Sequence, residues 1–249
     1  MKVALKIEPL KGEVTAANNE IITYVPVTKV GGSILWVEGR KRFESKFALH
    51  YGLGRDPRFR VYYLERLLGA EAGPPAKDLF EFDQRHYDVI VIGDVSAKRF
   101  SGGDPAVFQK IRQLVADRGR GLLMRGGFEP FANRDWQTRG VALASLLPVQ
   151  LNRPGQVEGE VKVIPTKDGL AYLLRLADRD AANQLLWDKD LDPLDGMTHL
   201  GEVKPQGTVL AAREGGEPVL VSGDVGKGRV LAFGGDTTYK VWRRKPENL

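Results

Sequence analysis

The spacing of apolar positions changes along the chain, and each change marks an element. In residues 1–30, "KVALKI" and "IITYVPV" alternate apolar and polar residues with the period of two that suits half-buried strands. The turn-like "KGEVTAANNE" lies between them. Two strands alone are marginally stable in water. This segment is therefore expected either to dock on the main domain or to be the closing strands of an upstream β-sandwich. Gly31-Gly32 reads as a hinge, which divides the chain into a β segment, 1–30, and a main domain, 31–249.

From Ser33 onward, short continuous apolar runs alternate with helical stretches. "SILWV" predicts a strand and Phe43 to about Leu53 a helix; "RFRVYYL" (58–64) and "DVIVIGD" (88–94) predict two further strands. A signposted helix follows: Asp104 suits the cap, Pro105 the first position, Val107, Ile111, Leu114 and Val115 form one face, and Gly119 suits the end. "GLLMR" is a fourth strand. Continuous apolar strands separated by helices predict a parallel sheet covered on both faces, most simply doubly wound. After Leu151 the pattern is mixed. "VEGEVKVIP" reads as an edge or inserted strand, "DAANQLLWDKD" as a short helix, and "TVLAARE", "PVLVSGD" and "RVLAFGGD" as three strands. The "GDVGKG" between the last two is a hairpin turn.

Composition narrows the function classes more than it selects one. The 37 basic and 32 acidic residues are interspersed, leaving a net charge of +5. No aromatic-rich basic strand or basic helix accompanies it, which argues against nucleic-acid binding. The absence of cysteine excludes disulfides, thiolate metal sites and cysteine nucleophiles together. No apolar run approaches the roughly 20 residues needed to span a bilayer. The chain as given is thus expected to be soluble, with no direct insertion into a membrane.

Candidate chemistry is sparse. The serine-hydrolase elbow G-x-S-x-G is absent, and His50, His86 and His199 are scattered without metal-ligand spacing. "DKDLDPLDG" lacks the register and terminal glutamate of a calcium loop. No metal or cofactor is predicted. The better constellation is spatial, because ligands of open parallel sheets gather at the carboxyl ends of the strands. Those ends supply Glu38 and Arg40, then Asp94, then Arg125, Gly126 and Gly127, and finally Asp236 and Thr237. Backbone N–H groups of the "RGG" corner could cradle an anion, or its glycines could serve only a sharp turn. The charges could bind a small polar ligand or a partner's loop, or neutralise one another as Glu38–Arg125 and Asp94–Arg40 pairs. The pairing expected first for Arg125 is Glu38.

Six segments in order, "ILWVEGRKRFE", "DPRFRVYYL", "YDVIVIGDV", "GLLMRGGFEPF", "LASLLPVQL" and "GKGRVLAFGGDTTYKVWRR", resemble the class I glutamine amidotransferase-like domain over residues 33–244. The nearest likeness is to an atypical branch found in bacterial envelope proteins beside von Willebrand A and immunoglobulin-like modules. The resemblance implies a flavodoxin-like three-layer sandwich with a mostly parallel sheet, preceded by the short N-terminal β segment. It implies partners among other domains or subunits of an envelope-associated protein, membrane-anchored as a whole, with this domain in the periplasm or the cytoplasm. The family places a cysteine after the strand equivalent to "GLLMR" and a histidine and glutamate after a late strand. Here those places hold Arg125-Gly126-Gly127 and Gly234-Gly235-Asp236-Thr237. A thioester mechanism needs a nucleophile with a neighbouring base, so the expected role is a non-catalytic recognition module. The competing expectation is a hydrolase or amidotransferase with altered chemistry, using the rim carboxylates and a bound water.

Overall fold

The computed structural model describes residues 2–8, 12, 19–24, 31–65, 77–129, 131, 134–137 and 142–240. Backbone contacts divide the chain into two units, Met1–Gly31 and Gly32–Leu249. In the first, β1 (Lys2–Lys6) and β2 (Glu20–Tyr24) pair antiparallel, with Lys2 opposite Tyr24. Most of the expected turn between them lies outside the described residues, as do 25–30 and the C-terminal stretch 241–249.

The second unit is built on one eight-stranded sheet. Its strands are β3 (Ser33–Glu38), β4 (Arg60–Glu65), β5 (Val89–Ile92), β6 (Gly121–Arg125), β8 (Ile164–Pro165), β10 (Gly207–Ala212), β11 (Pro218–Val225) and β12 (Gly228–Phe233), in the order β4-β3-β5-β6-β12-β11-β10-β8. The first five run parallel. The pairs β12–β11, β11–β10 and β10–β8 are antiparallel. The remaining strands, β7 (Gln156–Val161) and β9 (Leu194–Thr198), form a separate antiparallel ribbon.

This corrects the expected flavodoxin-like, mostly parallel sandwich: the sheet is mixed. The physical reason lies in the connections. A parallel crossover needs a dozen or more residues, whereas antiparallel neighbours close over a tight turn. The chain has room for crossovers between β3 and β6. Between β10, β11 and β12 it supplies only short glycine turns, where Gly215, Gly216 and Gly226 have positive φ.

The covering layers also depart from two helical sheets. On one face, α3 (Ala106–Ala116) buries Val107, Ile111, Leu114 and Val115 in the main core with Leu35, Ile90, Leu122 and Val230. Its start follows the sequence signal, since Asp104 accepts the Ala106 N–H at 2.9 Å, and Gly119 takes φ +73° at its end. The other face is divided. Beside Ile34, Trp36 and Val91 lies α1 (Phe43–Tyr51). Over β10–β12 lie the β7–β9 ribbon and two short helices, α4 (Lys167–Ala171) and α5 (Asp180–Leu185), whose end continues as a π-helical turn, Leu186–Asp190. With α2 (Ala97–Ser101), three of the five α-helices among the described residues have six residues or fewer, too short to form a full second layer.

Candidate functional site

The parallel strands bring the predicted rim residues to one edge. β3 ends at Glu38, β5 leads to Asp94, β6 ends at Arg125 before Gly126-Gly127, and β12 leads to Asp236 and Thr237. Most of these charges face inward. Glu38 and Asp94 are fully buried and Arg125 is 5% exposed. Burial at this level requires partners, and the partners are specific.

Glu38 accepts hydrogen bonds from the Trp36 indole at 3.0 Å, the Asp94 N–H at 2.9 Å, and both carboxylate oxygens meet Arg42 Nη2 at 3.0 Å. Arg42 also donates through Nη1 to Asp236 at 3.1 Å and to the Gly126 carbonyl at 3.2 Å. One guanidinium therefore ties the ends of β3, β6 and β12 together. Burial works against its charge, but Glu38, Asp94 and Asp236 together raise its pKa above the ordinary arginine value.

Arg125 is paired with a carboxylate, but not with Glu38. Its partner is Glu44, in the first turn of α1, and its guanidinium lies 5.4 Å from the Trp36 ring centroid. Glu44 also accepts from the Tyr239 N–H at 3.1 Å and from the Thr238 hydroxyl. The expectation failed because Glu38 is already engaged by Arg42, four residues along the same strand–helix turn. The second anticipated pair is present in looser form. Arg40 Nε lies 3.3 Å from Asp94 Oδ2, yet neither atom has a hydrogen-bond partner, so the contact is ionic without being aligned. Arg40 is also stacked 5.0 Å from the Phe128 ring centroid.

The "RGG" corner has its backbone donors occupied. Gly126 N–H donates to the Phe233 carbonyl at 2.6 Å. Gly127 N–H donates to Thr198 Oγ1 at 3.1 Å, and its carbonyl accepts from the Thr198 hydroxyl at 2.6 Å and from Gln156 at 2.9 Å. These two N–H groups are turned into protein, so the anion cradle considered from the sequence is not formed. Glycine is required by close approach. A Cβ at Gly126 would overlap the Gly234 carbonyl, one at Gly127 would meet the Asp94 carboxyl, and one at Gly93 would take the place of the Glu38 carboxylate.

Thr237 accepts the Asp195 N–H at 2.9 Å, fixing β9 against the end of β12. The histidines serve elsewhere: His199 meets Glu217, beside Arg213 and Arg153, His86 meets Arg120, and His50 is exposed on α1. Among the described residues no cluster of three or more ligating side chains is suited to a metal ion.

Two cavities flank the rim, and Asp236 lines both. One of about 210 Å³ lies between Gly127, Thr198 and the β7–β9 ribbon. The other, about 820 Å³ and open, is lined by Lys41, Lys46, Phe43, Tyr63, Glu65 and Tyr239 with Asp236 at its inner side. Phe43 is 60% exposed there, its ring 5.6 Å from that of Tyr239.

Carboxylates outnumber the buried arginines: Glu38, Glu44, Asp94 and Asp236 face Arg42 and Arg125, with Arg40 half outside. Burial, with a contribution from Glu38, raises the Asp94 carboxyl above its ordinary value; the Glu129 N–H, Arg42 and Arg40 pull it back only in part. Burial likewise raises Asp236, with Arg42 and Arg125 opposing and Glu44 adding to the shift. Both groups hold a proton more tightly folded than unfolded. Their contribution to stability is therefore full below the ordinary aspartate value of 3.8 and declines as pH climbs from there through the raised values. Asp94→Asn is expected to flatten this dependence. In urea titrations the wild-type midpoint should gain on that of the variant as pH falls from neutrality to the ordinary aspartate value of 3.8. Parallel pH profiles would refute the assignment of a raised carboxyl to Asp94.

No family model matches the chain, and no curated protein matches it, so the amidotransferase-like resemblance gains no support from either. No helix among the described residues is long and apolar enough to cross a membrane. Solved structures resemble the fold. Cytoplasmic protein STM3548 from Salmonella typhimurium aligns with a TM-score of 0.60 at 17% identity, covering 86% of this chain and 94% of its own. Cytoplasmic protein STM1381 from Salmonella typhimurium LT2 aligns with a TM-score of 0.53 at 23% identity, covering 82% and 88%. At these identities the likeness concerns the arrangement of the mixed sheet and its coverings, and nothing beyond it.

Proposed function

We propose that this protein is a non-catalytic recognition module whose ligand is a small zwitterionic molecule, held in the open cleft beside α1. The observation that carries this reading is the occupation of the rim from within. Arg42 and Arg125 are committed to Glu38, Asp236 and Glu44, and the corner N–H groups are bonded to protein. A nucleophile, an aligned base and an open oxyanion site are the parts acyl-transfer chemistry requires, and the described rim offers none of them. The adjoining cleft nevertheless has the size and mixed lining of a ligand site. Asp236 supplies a carboxylate for a cationic group, Lys41 and Lys46 suit an anionic one, and Phe43 and Tyr239 offer aromatic surface.

The module would act within a larger assembly, contacting other domains or subunits of an envelope-associated, membrane-anchored protein. A cytoplasmic setting is consistent with the descriptions of the two Salmonella proteins.

One observation favours a second reading, an enzyme with altered chemistry. Asp236 combines a raised carboxyl with access to two cavities, which are properties of a general acid. Turnover assays separate the two. Glutamine and simple amide or ester substrates are expected to give no product above heat-killed protein. A thermal-shift survey of amino acids and short peptides should find a stabilising ligand whose effect Lys46→Glu weakens. Product formation abolished by Asp236→Asn would overturn the recognition reading and establish the enzymatic one.

A further inference from the structure

A third cavity, of about 490 Å³, lies on the sheet face away from α3, beneath the segment 173–176 that follows α4 and the π-helical turn. Its floor follows from strand register. Leu123 pairs with Leu231, and Phe233 pairs with Leu220, so these side chains share one face of β6, β12 and β11. Its roof is carried by Leu173, Leu176 and Trp187. Lys162, Asp192 and Thr238 are the only polar residues in the described lining.

Three features distinguish this space from loose packing. Protein interiors hold few voids larger than a water molecule, and this one has the volume of a small-molecule site. Its roof leucines stand partly in solvent, Leu173 at 41% and Leu176 at 52% exposure, instead of collapsing onto the floor. The roof also contains the π-helical turn Leu186–Asp190, closed by the Leu191 N–H to the Leu186 carbonyl at 2.9 Å. Such turns are rare and are frequently found at functional sites. The one aromatic donor is satisfied by the protein itself, because the Trp187 indole N–H bonds the Leu174 carbonyl at 2.9 Å. The indole thus makes no hydrogen-bond demand on an occupant.

We propose that this cavity binds one aliphatic chain bearing a terminal carboxylate, a free fatty acid, with its head at Lys162. The Lys162 ammonium donates once, to the Asp188 carbonyl at 3.1 Å, and an ammonium has three protons to donate. The volume suits a single chain and excludes a protein helix, whose diameter with side chains is about 10–12 Å. The half-exposed leucines form the entrance through which such a chain passes. This site is separate from the cleft beside α1 and does not depend on the role proposed for it.

The test uses the full chain, with dodecanoate displacing cis-parinaric acid while tryptophan emission is followed. Saturable one-to-one binding is expected. Lys162→Met should weaken dodecanoate at least about tenfold, roughly 1.4 kcal/mol, and leave dodecanol unchanged. The double variant Leu173→Gln, Leu176→Gln alters only half-exposed positions, so it should fold as wild type by circular dichroism and lose both ligands. Absence of saturable binding in the wild type overturns the proposal. So does dodecanoate affinity indifferent to Lys162→Met, or partition into phosphatidylcholine vesicles in place of one-to-one binding. A wild-type dimer that the double variant dissolves, with no fatty-acid binding in either, reassigns the leucines to a protein contact and also overturns it.

Discussion

Arg125→Ala is expected to lower the melting temperature by on the order of 10 °C. The arginine and its partner Glu44 are almost wholly enclosed, with side chains 6% and 4% exposed. Breaking a buried pair on one side leaves an uncompensated charge, at a cost of about 3–5 kcal/mol. For a domain of this size each kcal/mol shifts the midpoint by roughly 2–4 °C. The contact with the Trp36 ring is lost as well. Glu44→Gln should also destabilise, because Thr238 and Tyr239 bond different oxygens of Glu44, only one of which an amide retains as an acceptor, and Arg125 is left without its counterion. A double-mutant cycle on residues 44 and 125, read by urea denaturation, isolates the pair. A fall of less than ~2 °C in Arg125→Ala would mean that water reaches this charge, contrary to its burial.

Gly126→Ala, and equally Gly126→Cys, is expected to abolish the native fold or destabilise it severely. The added Cβ would fall within the Gly234 carbonyl, a backbone atom held in place by its acceptance of the Thr198 N–H at 2.9 Å. Overpacking against movable side chains typically costs about 1–3 kcal/mol, and a clash with anchored backbone lies at or beyond the upper end of that range. The consequence bears on chemistry as well as stability. A cysteine at this corner would not create a glutaminase, because the turn has no room for the side chain to stand clear. Soluble expression and a cooperative melt for Gly126→Cys, within a few degrees of wild type, would contradict this account.

Much of the fold was legible because its strands are short, continuous apolar runs with turn residues at their ends. "SILWV", "DVIVIGD" and "GLLMR" each became a strand, and the Asp104–Gly119 signals bounded α3. The "GDVGKG" hairpin was also legible, since β11 and β12 pair antiparallel across it. What failed was the direction of the rest of the late strands. An apolar run has the same appearance in either orientation, so the antiparallel β10–β11 and β10–β8 pairs could be recognised only by giving the short glycine turns more weight than the likeness. β9 was missed because Gly196 and the preceding aspartates mask it, while α2 and α4 are too short for a helical period. The rim was located correctly as a place, since strand ends are fixed by the strands. Its pairing was not, because Arg42 and Glu44 lie in the turn and first helical residues beyond β3. The run "EGRKRFE" presents three basic residues and two glutamates in seven positions. Which of them turns inward depends on the crossover geometry of α1, and alternation along a strand says nothing of that.

The position of β12 between β6 and β11 sets the order in which the sheet can be completed. β6 ends at Arg125 and its second neighbour begins at Gly228. At ribosomal rates of about 5–20 residues per second, the strand waits on the order of 5–20 s for that neighbour to emerge. During this interval one side of a strongly apolar strand has its backbone donors and acceptors unpaired, the state most prone to pair with another chain. The β11–β12 hairpin can close locally within microseconds, so the delay belongs to synthesis. The nascent chain therefore carries an interior strand as an edge until nearly all of the sheet has been made, and shielding that edge is a task for the cell.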